Sequence, residues 1–163
     1  MALVKRLAVT TAPKAVVLIR LLVGGVFLSE GVQKFLFPGL VGAGRFAKIG
    51  IPYPGVTGPV VGAVEIAAGL LVLVGLLTRP AAASLLVVML VAIVSTKLPV
   101  LVGHPVWGFA LPNVPMVGVW GALHEARADL SMILCLLFLL VAGAGRLSAD
   151  HRVASPGRGG HAA

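Results

Sequence analysis

Long apolar runs alternate along the chain with short breaks rich in glycine, proline and charge. The first run, Val16 to Pro38, is interrupted only by Arg20, Ser29, Glu30, Gln33, Lys34 and small residues. At about 1.5 Å per helical residue it reaches across the roughly 30 Å of bilayer hydrocarbon, and it predicts a spanning helix over about 15–37. A second run, 59–77, begins with Pro59, where a missing N–H costs a helix nothing. A third, 81–98, is ended by Pro99. The fourth has an apolar centre from Leu130 to Ala142 that spans only if His124, Glu125, Arg127 and Asp129 form its first turns, predicting a helix over about 124–144.

The breaks carry their own signals. Between Gly39 and Gly58, Arg45, Phe46, Lys48 and Ile49 predict one or two amphipathic turns on the surface, stopped by Pro52 and Pro54. Thr78, Arg79 and Pro80 predict a tight turn. Pro99 to Leu123 holds His104, Trp107 and Trp120 among prolines at 105, 112 and 115, and reads as an interfacial segment, a cap on the bundle or an external loop. Gly24, Phe27, Gly31 and Lys34 share one stripe of the first helix, and Gly58, Gly62, Glu65 and Gly69 share one face of the second, so these faces are expected to pack closely.

Composition fixes the class. With 59% hydrophobic and 11% charged residues, the chain is all-α: a polytopic membrane four-helix bundle. Residues 1–14 form a basic leading segment, retained with the first helix rather than cleaved as a signal; 15–146 form the helical domain; 147–163 form a flexible tail. The net charge of +8 would suggest nucleic acid in a soluble domain, but the cations are scattered at helix ends, so nucleic acid is excluded as a partner. Lys5, Arg6, Lys14, Arg20, Arg79, Arg146, Arg152 and Arg158 fall on one side, against Lys34, Arg45, Lys48, Lys97 and Arg127 on the other. That excess puts both termini in the cytoplasm of a bacterial inner membrane.

The acidic residues locate the candidate chemistry. Glu30 and Glu65 lie about two turns, ~10 Å, inside the outer ends of their helices, and neither can stay ionised there alone. Lys34, Lys97, His124, Glu125 and Asp129 lie at the same end and complete a candidate ligand or proton cluster, with Trp107 and Trp120 as its lid. Arg20, near the opposite end, is expected to snorkel outward, and the inner half to be almost purely apolar. Cys135 stands alone, which excludes an intrachain disulfide or dithiol couple. His104 and His124 are too loosely spaced for a metal site, and no metal is expected. No haem, flavin, iron–sulfur or phosphate-loop pattern occurs, so there is no self-contained catalytic or redox motif.

The chain resembles the DoxX family of small four-helix membrane proteins over roughly Leu18 to Asp150. The likeness rests on Arg20, Gly24, Phe27, Gly31 and Lys34; on Phe46, Gly50, Pro52 and Pro54; on Gly62, Glu65 and Gly69, with GLLTR after them; and on Gly143, Gly145, Arg146 and Asp150. The resemblance implies a theme of quinone-linked membrane oxidoreductase assemblies. Three functions follow as expectations: a membrane subunit binding a quinone in the outer half of the bundle, a scaffold that docks a membrane-associated oxidoreductase or a second copy, and a small-solute or proton permease. The lipid bilayer is a partner in all three.

Overall fold

The computed structural model describes Thr10 and residues 12–154. The leading Lys5 and Arg6, and the tail residues Arg158 and His161, lie outside the described residues. Seven α-helices are described: α1 Val16–Leu36, α2 Ala43–Ile49, α3 Pro54–Val74, α4 Thr78–Ala92, α5 Leu98–Val102, α6 Val119–Ala142 and α7 Ala149–Ala154, with a π-helical turn, Ile93–Lys97, joining α4 to α5. Val16–Leu36, Pro54–Val74 and the continuous stretch Thr78–Val102 are long and apolar enough to cross a membrane. The 24-residue α6 carries Glu125, Arg127 and Asp129 in its first half.

Helix α1 packs most extensively on α3, and α4 on α6. The two predicted glycine faces meet each other. A Cβ on Gly31 would stand 2.7 Å from the Gly62 carbonyl oxygen, and one on Gly24 2.8 Å from that of Gly69, so the backbones touch where side chains are missing. Val23, Phe27 and Val72 are buried along this seam, and Leu85, Leu136 and Leu139 along that of α4 and α6.

Several expected boundaries are corrected by turn chemistry. Pro59 does not open the second helix but lies inside α3, because Pro54 already occupies the first turn and the Thr57 hydroxyl donates back to the Pro52 and Tyr53 carbonyls. Gly55, whose carbonyl Pro59 leaves without a helical donor, is exposed. The turn expected at 78–80 falls earlier, at Gly75–Leu77, where the amides of Gly75 and Leu76 both bond the Leu71 carbonyl and Gly75 takes a positive φ of 71°. Pro80 then sits in the first turn of α4, where no N–H is needed.

Pro99 does not end the third helix. A proline ring collides with the carbonyl four residues back, and the helix widens to a π turn at that point, with the Leu98 amide bonding the Ile93 carbonyl. The chain then continues as α5 to Val102. The expected flexible tail from 147 is also corrected as far as Ala154. Ser148 and Asp150 are buried, and α7 is docked against the α3–α4 turn.

Candidate functional site

Both described chain ends lie at one end of the helices, here the terminal end. The α1–α2–α3 connection and the 103–118 loop lie at the other, the loop end.

At the loop end, glycine packing creates the first charged group. Because Gly31 and Gly62 bring α1 and α3 into backbone contact, Lys34 in the last turn of α1 reaches across to α3. Its Nζ lies 2.6 Å from Glu65 Oε2, with both side chains at least 92% buried (8% and 4% exposed). Glu30 Oε2 is 3.8 Å from the same ammonium, but its side chain is half exposed rather than turned into the bundle. The buried carboxylate therefore has its counter-charge, without which burial would cost several kcal/mol. This group is closed: the Lys34 and Glu65 side chains are packed between α1 and α3.

The second group comes from the π turn. Ser95 and Thr96 donate their hydroxyls to the Ala92 carbonyl, at 3.4 and 2.6 Å, and the widened turn carries Lys97 onto α6, with Nζ 3.3 Å from Asp129 Oδ2. Among the described residues no ion pair joins this group to the first. Beside it opens a cleft of about 270 Å³. Arg45, Lys48 and Ile49 of α2 form one wall, Thr96, Lys97 and Val100 the floor, Glu125 the α6 side, and Ala110–Val114 the roof. The roof is tied to α2 by the Ala110 amide bonding the Ile49 carbonyl at 2.8 Å.

Of the seven predicted cluster residues, Lys97 and Glu125 line this cleft, and Asp129 holds Lys97 in place. Glu30, Lys34 and Glu65 form the separate closed group. His124 is exposed, its carbonyl accepting from the Arg127 guanidinium. Trp107 and Trp120 are 79% and 75% exposed. Among the described residues no three His, Cys, Asp or Glu side chains converge as a metal site, and Cys135 is a half-buried free thiol. Arg45, Lys48, Thr96 and Asn113 line the cleft without belonging to the predicted cluster. The three-residue spacing of Arg45 and Lys48 on one short helix was the available signal.

The terminal end is not purely apolar, and Arg20 does not snorkel. Its side chain is buried, 2% exposed, and donates to four carbonyls: Val72 at 2.8 Å, Leu73 at 2.5 Å, Ala144 at 3.3 Å and Leu147 at 2.5 Å. These belong to the C-terminal end of α3 and the chain just beyond α6, where carbonyls lack intrahelical donors and a cation is favoured. Gly75 leaves the room, since a Cβ there would lie 2.6 Å from Arg20 Cζ. Asp150 caps α4 from outside, accepting from the Leu77 and Thr78 amides at 2.8 and 3.0 Å. Arg79 donates to the Leu140 and Val141 carbonyls, and the Thr10 hydroxyl to that of Ala142. This network closes helix ends and joins the segments GLLTR and Gly145–Asp150, which are far apart in sequence.

Comparison with known proteins gives two matches. The family model DoxX matches residues 15–98. An uncharacterized membrane protein of Mycobacterium tuberculosis (strain ATCC 25618 / H37Rv), Rv3486, is 52% identical over 148 residues, covering 91% of this chain and 86% of that protein. No solved structure matches the chain.

Proposed function

The chain belongs to the DoxX family of membrane proteins, and on that footing we propose that it is a membrane subunit that holds the head of an amphipathic molecule, a quinone, for an oxidoreductase partner. In this reading α6 is a fourth span, both termini face the cytoplasm, and the cleft lies in the outer half of a bacterial inner membrane. The observation that carries the reading is the cleft itself. Quinone carbonyls need donors, and Arg45, Lys48, Lys97 and the Asn113 amide supply them; the ring needs an apolar wall, and Ile49, Val100, Leu111, Pro112 and Val114 supply it. Glu125 is the carboxylate at hand for a proton. About 270 Å³ is near the lower bound of roughly 300 Å³ for small-molecule pockets, which suits a head group whose tail stays in lipid.

The closed Lys34–Glu65 pair and the buried Arg20, bonded to four carbonyls, favour a second reading, a scaffold whose charges only fix the bundle. One experiment separates the two. The full chain is purified in mild detergent, and its extracted lipid is analysed for quinone by mass spectrometry. Arg45→Ala with Lys48→Ala, two exposed changes, should lower retention about tenfold or more if each cation donates one charge-assisted hydrogen bond. Quinone no more abundant than in an unrelated membrane protein from the same cells would leave the scaffold.

A further inference from the structure

Among the described residues, three that are not glycine hold a positive φ: Leu77, Tyr53 and Trp107. For Leu77 the cause lies inside the chain, because its backbone starts α4 and its amide is held by Asp150. The other two differ. Tyr53, with φ 50° and ψ 53°, is 81% exposed; Trp107, with φ 50°, is 79% exposed. Trp107 and Gly108 are the two central residues of a tight hairpin closed by both Val106–Phe109 backbone bonds, 3.1 and 2.8 Å, and both have positive φ. Such a turn is taken most cheaply by Asn-Gly or Gly-Gly. A large ring is thus lifted out, mostly exposed, at the tip of a strained turn.

The two turns are braced together. Gly50, close before Tyr53, lies so near the Gly108 carbonyl that a Cβ would collide with it, and the Ala110 amide bonds the Ile49 carbonyl. Tyr53 and Trp107 therefore rise from one rigid platform, which is also a wall of the cleft. Phe37 and Leu40 after α1, and Trp120 opening α6, are exposed at the same end. Exposed rings thus come from four separate stretches of chain and continue the apolar surface of the spanning helices. A protein-docking hot spot concentrates in one patch. Tyr53, Trp107 and Trp120, each with an apolar body and a polar N–H or O–H, fit the headgroup layer of a bilayer, with Phe37 adding a purely apolar ring.

We propose that Tyr53 and Trp107 are paired anchors that seat the loop end in the headgroup layer, so that the cleft beside them opens to lipid and not to bulk water. Any ligand then arrives laterally from the membrane, whether or not it is a quinone. Trp107 and Trp120 are the two tryptophans of the chain, so Trp120→Phe leaves Trp107 as sole reporter. A second chain combining Tyr53→Trp, Trp107→Phe and Trp120→Phe reports on position 53. Each full chain is reconstituted into phosphatidylcholine vesicles brominated near the carbonyl end or near the methyl end of the acyl chain, with iodide as aqueous quencher on both sides. The expected result at both positions is blue-shifted emission, loss of more than half of it with the shallow bromines, little loss with the deep ones, and little with iodide. Emission typical of hydrated indole that iodide quenches would overturn the proposal. So would emission that neither bromine nor iodide reaches, which would place the rings against a second copy of the chain.

Discussion

Replacing Arg20 with methionine keeps an unbranched side chain in place and removes every donor. Of its four acceptors, the Val72 carbonyl keeps the Gly75 amide at 3.1 Å, whereas those of Leu73, Ala144 and Leu147 lose the donor described for them. Ala144 is 2% exposed, so its orphaned carbonyl costs the full desolvation penalty, about 1–3 kcal/mol. Leu73 is half-buried and Leu147 exposed, so water can reach them, and each forfeits only the net worth of a bond to a charged donor, about 1.5 kcal/mol. Relief of the buried guanidinium's own desolvation offsets part of the sum. A net loss of ~3 kcal/mol remains, which is roughly 100-fold in the folding equilibrium. Titration of the full chain from mild detergent into a denaturing one, followed by tryptophan emission and circular dichroism, measures it. Arg146→Met, at an exposed position, serves as the reference and should move the midpoint by less than about 0.5 kcal/mol. If Arg20→Met unfolds with the midpoint of Arg146→Met, the carbonyl clamp does not hold the terminal end together.

Two adjacent glycines of α1 should behave oppositely. Gly24→Ala meets the Gly69 carbonyl oxygen at 2.8 Å and should destabilise by about 1–3 kcal/mol, while Gly25→Ala meets nothing within 4 Å and should stabilise by up to ~1 kcal/mol; the same detergent titration reads both. Lys34→Met leaves Glu65 buried without its cation and should cost about 3–5 kcal/mol, whereas Lys34→Met combined with Glu65→Leu should recover most of that loss. Additive losses in this double-mutant cycle would contradict the 2.6 Å pair. Asp150→Ala removes the cap on the first amides of α4 and should cost ~1–2 kcal/mol, with faster hydrogen exchange at Leu77 and Thr78 as the local sign.

The sequence alone determined the class, the approximate helices and the faces that pack. These properties repeat along the chain: an apolar run long enough for a bilayer is visible wherever it occurs, and Gly24, Gly31, Gly62 and Gly69 fall at helical spacing. Glu65 was legible as a buried charge for the same reason, because a carboxylate in an apolar run facing a glycine stripe can turn only inward. The family was legible from motifs, but not what those motifs do together. That Arg20, Gly75 and Asp150 meet at one end depends on how three connections fold back, and no periodicity encodes it.

Only the tertiary structure decided which charges share a site. The candidate residues at the loop end have similar depth, and depth is all that position along a helix can give. Their separation into a closed Lys34–Glu65 pair and an open cleft around Lys97 depends on azimuth, set by the glycine contact of α1 with α3 and by the π turn before Pro99. The π turn shows the limit plainly. Proline signals that the backbone must change, and it stops, kinks or widens a helix according to whether neighbouring helices hold the chain beyond it. Here Val100 is fully buried and its carbonyl accepts the Gly118 amide, so α5 continues past the proline and Lys97 comes to face Asp129.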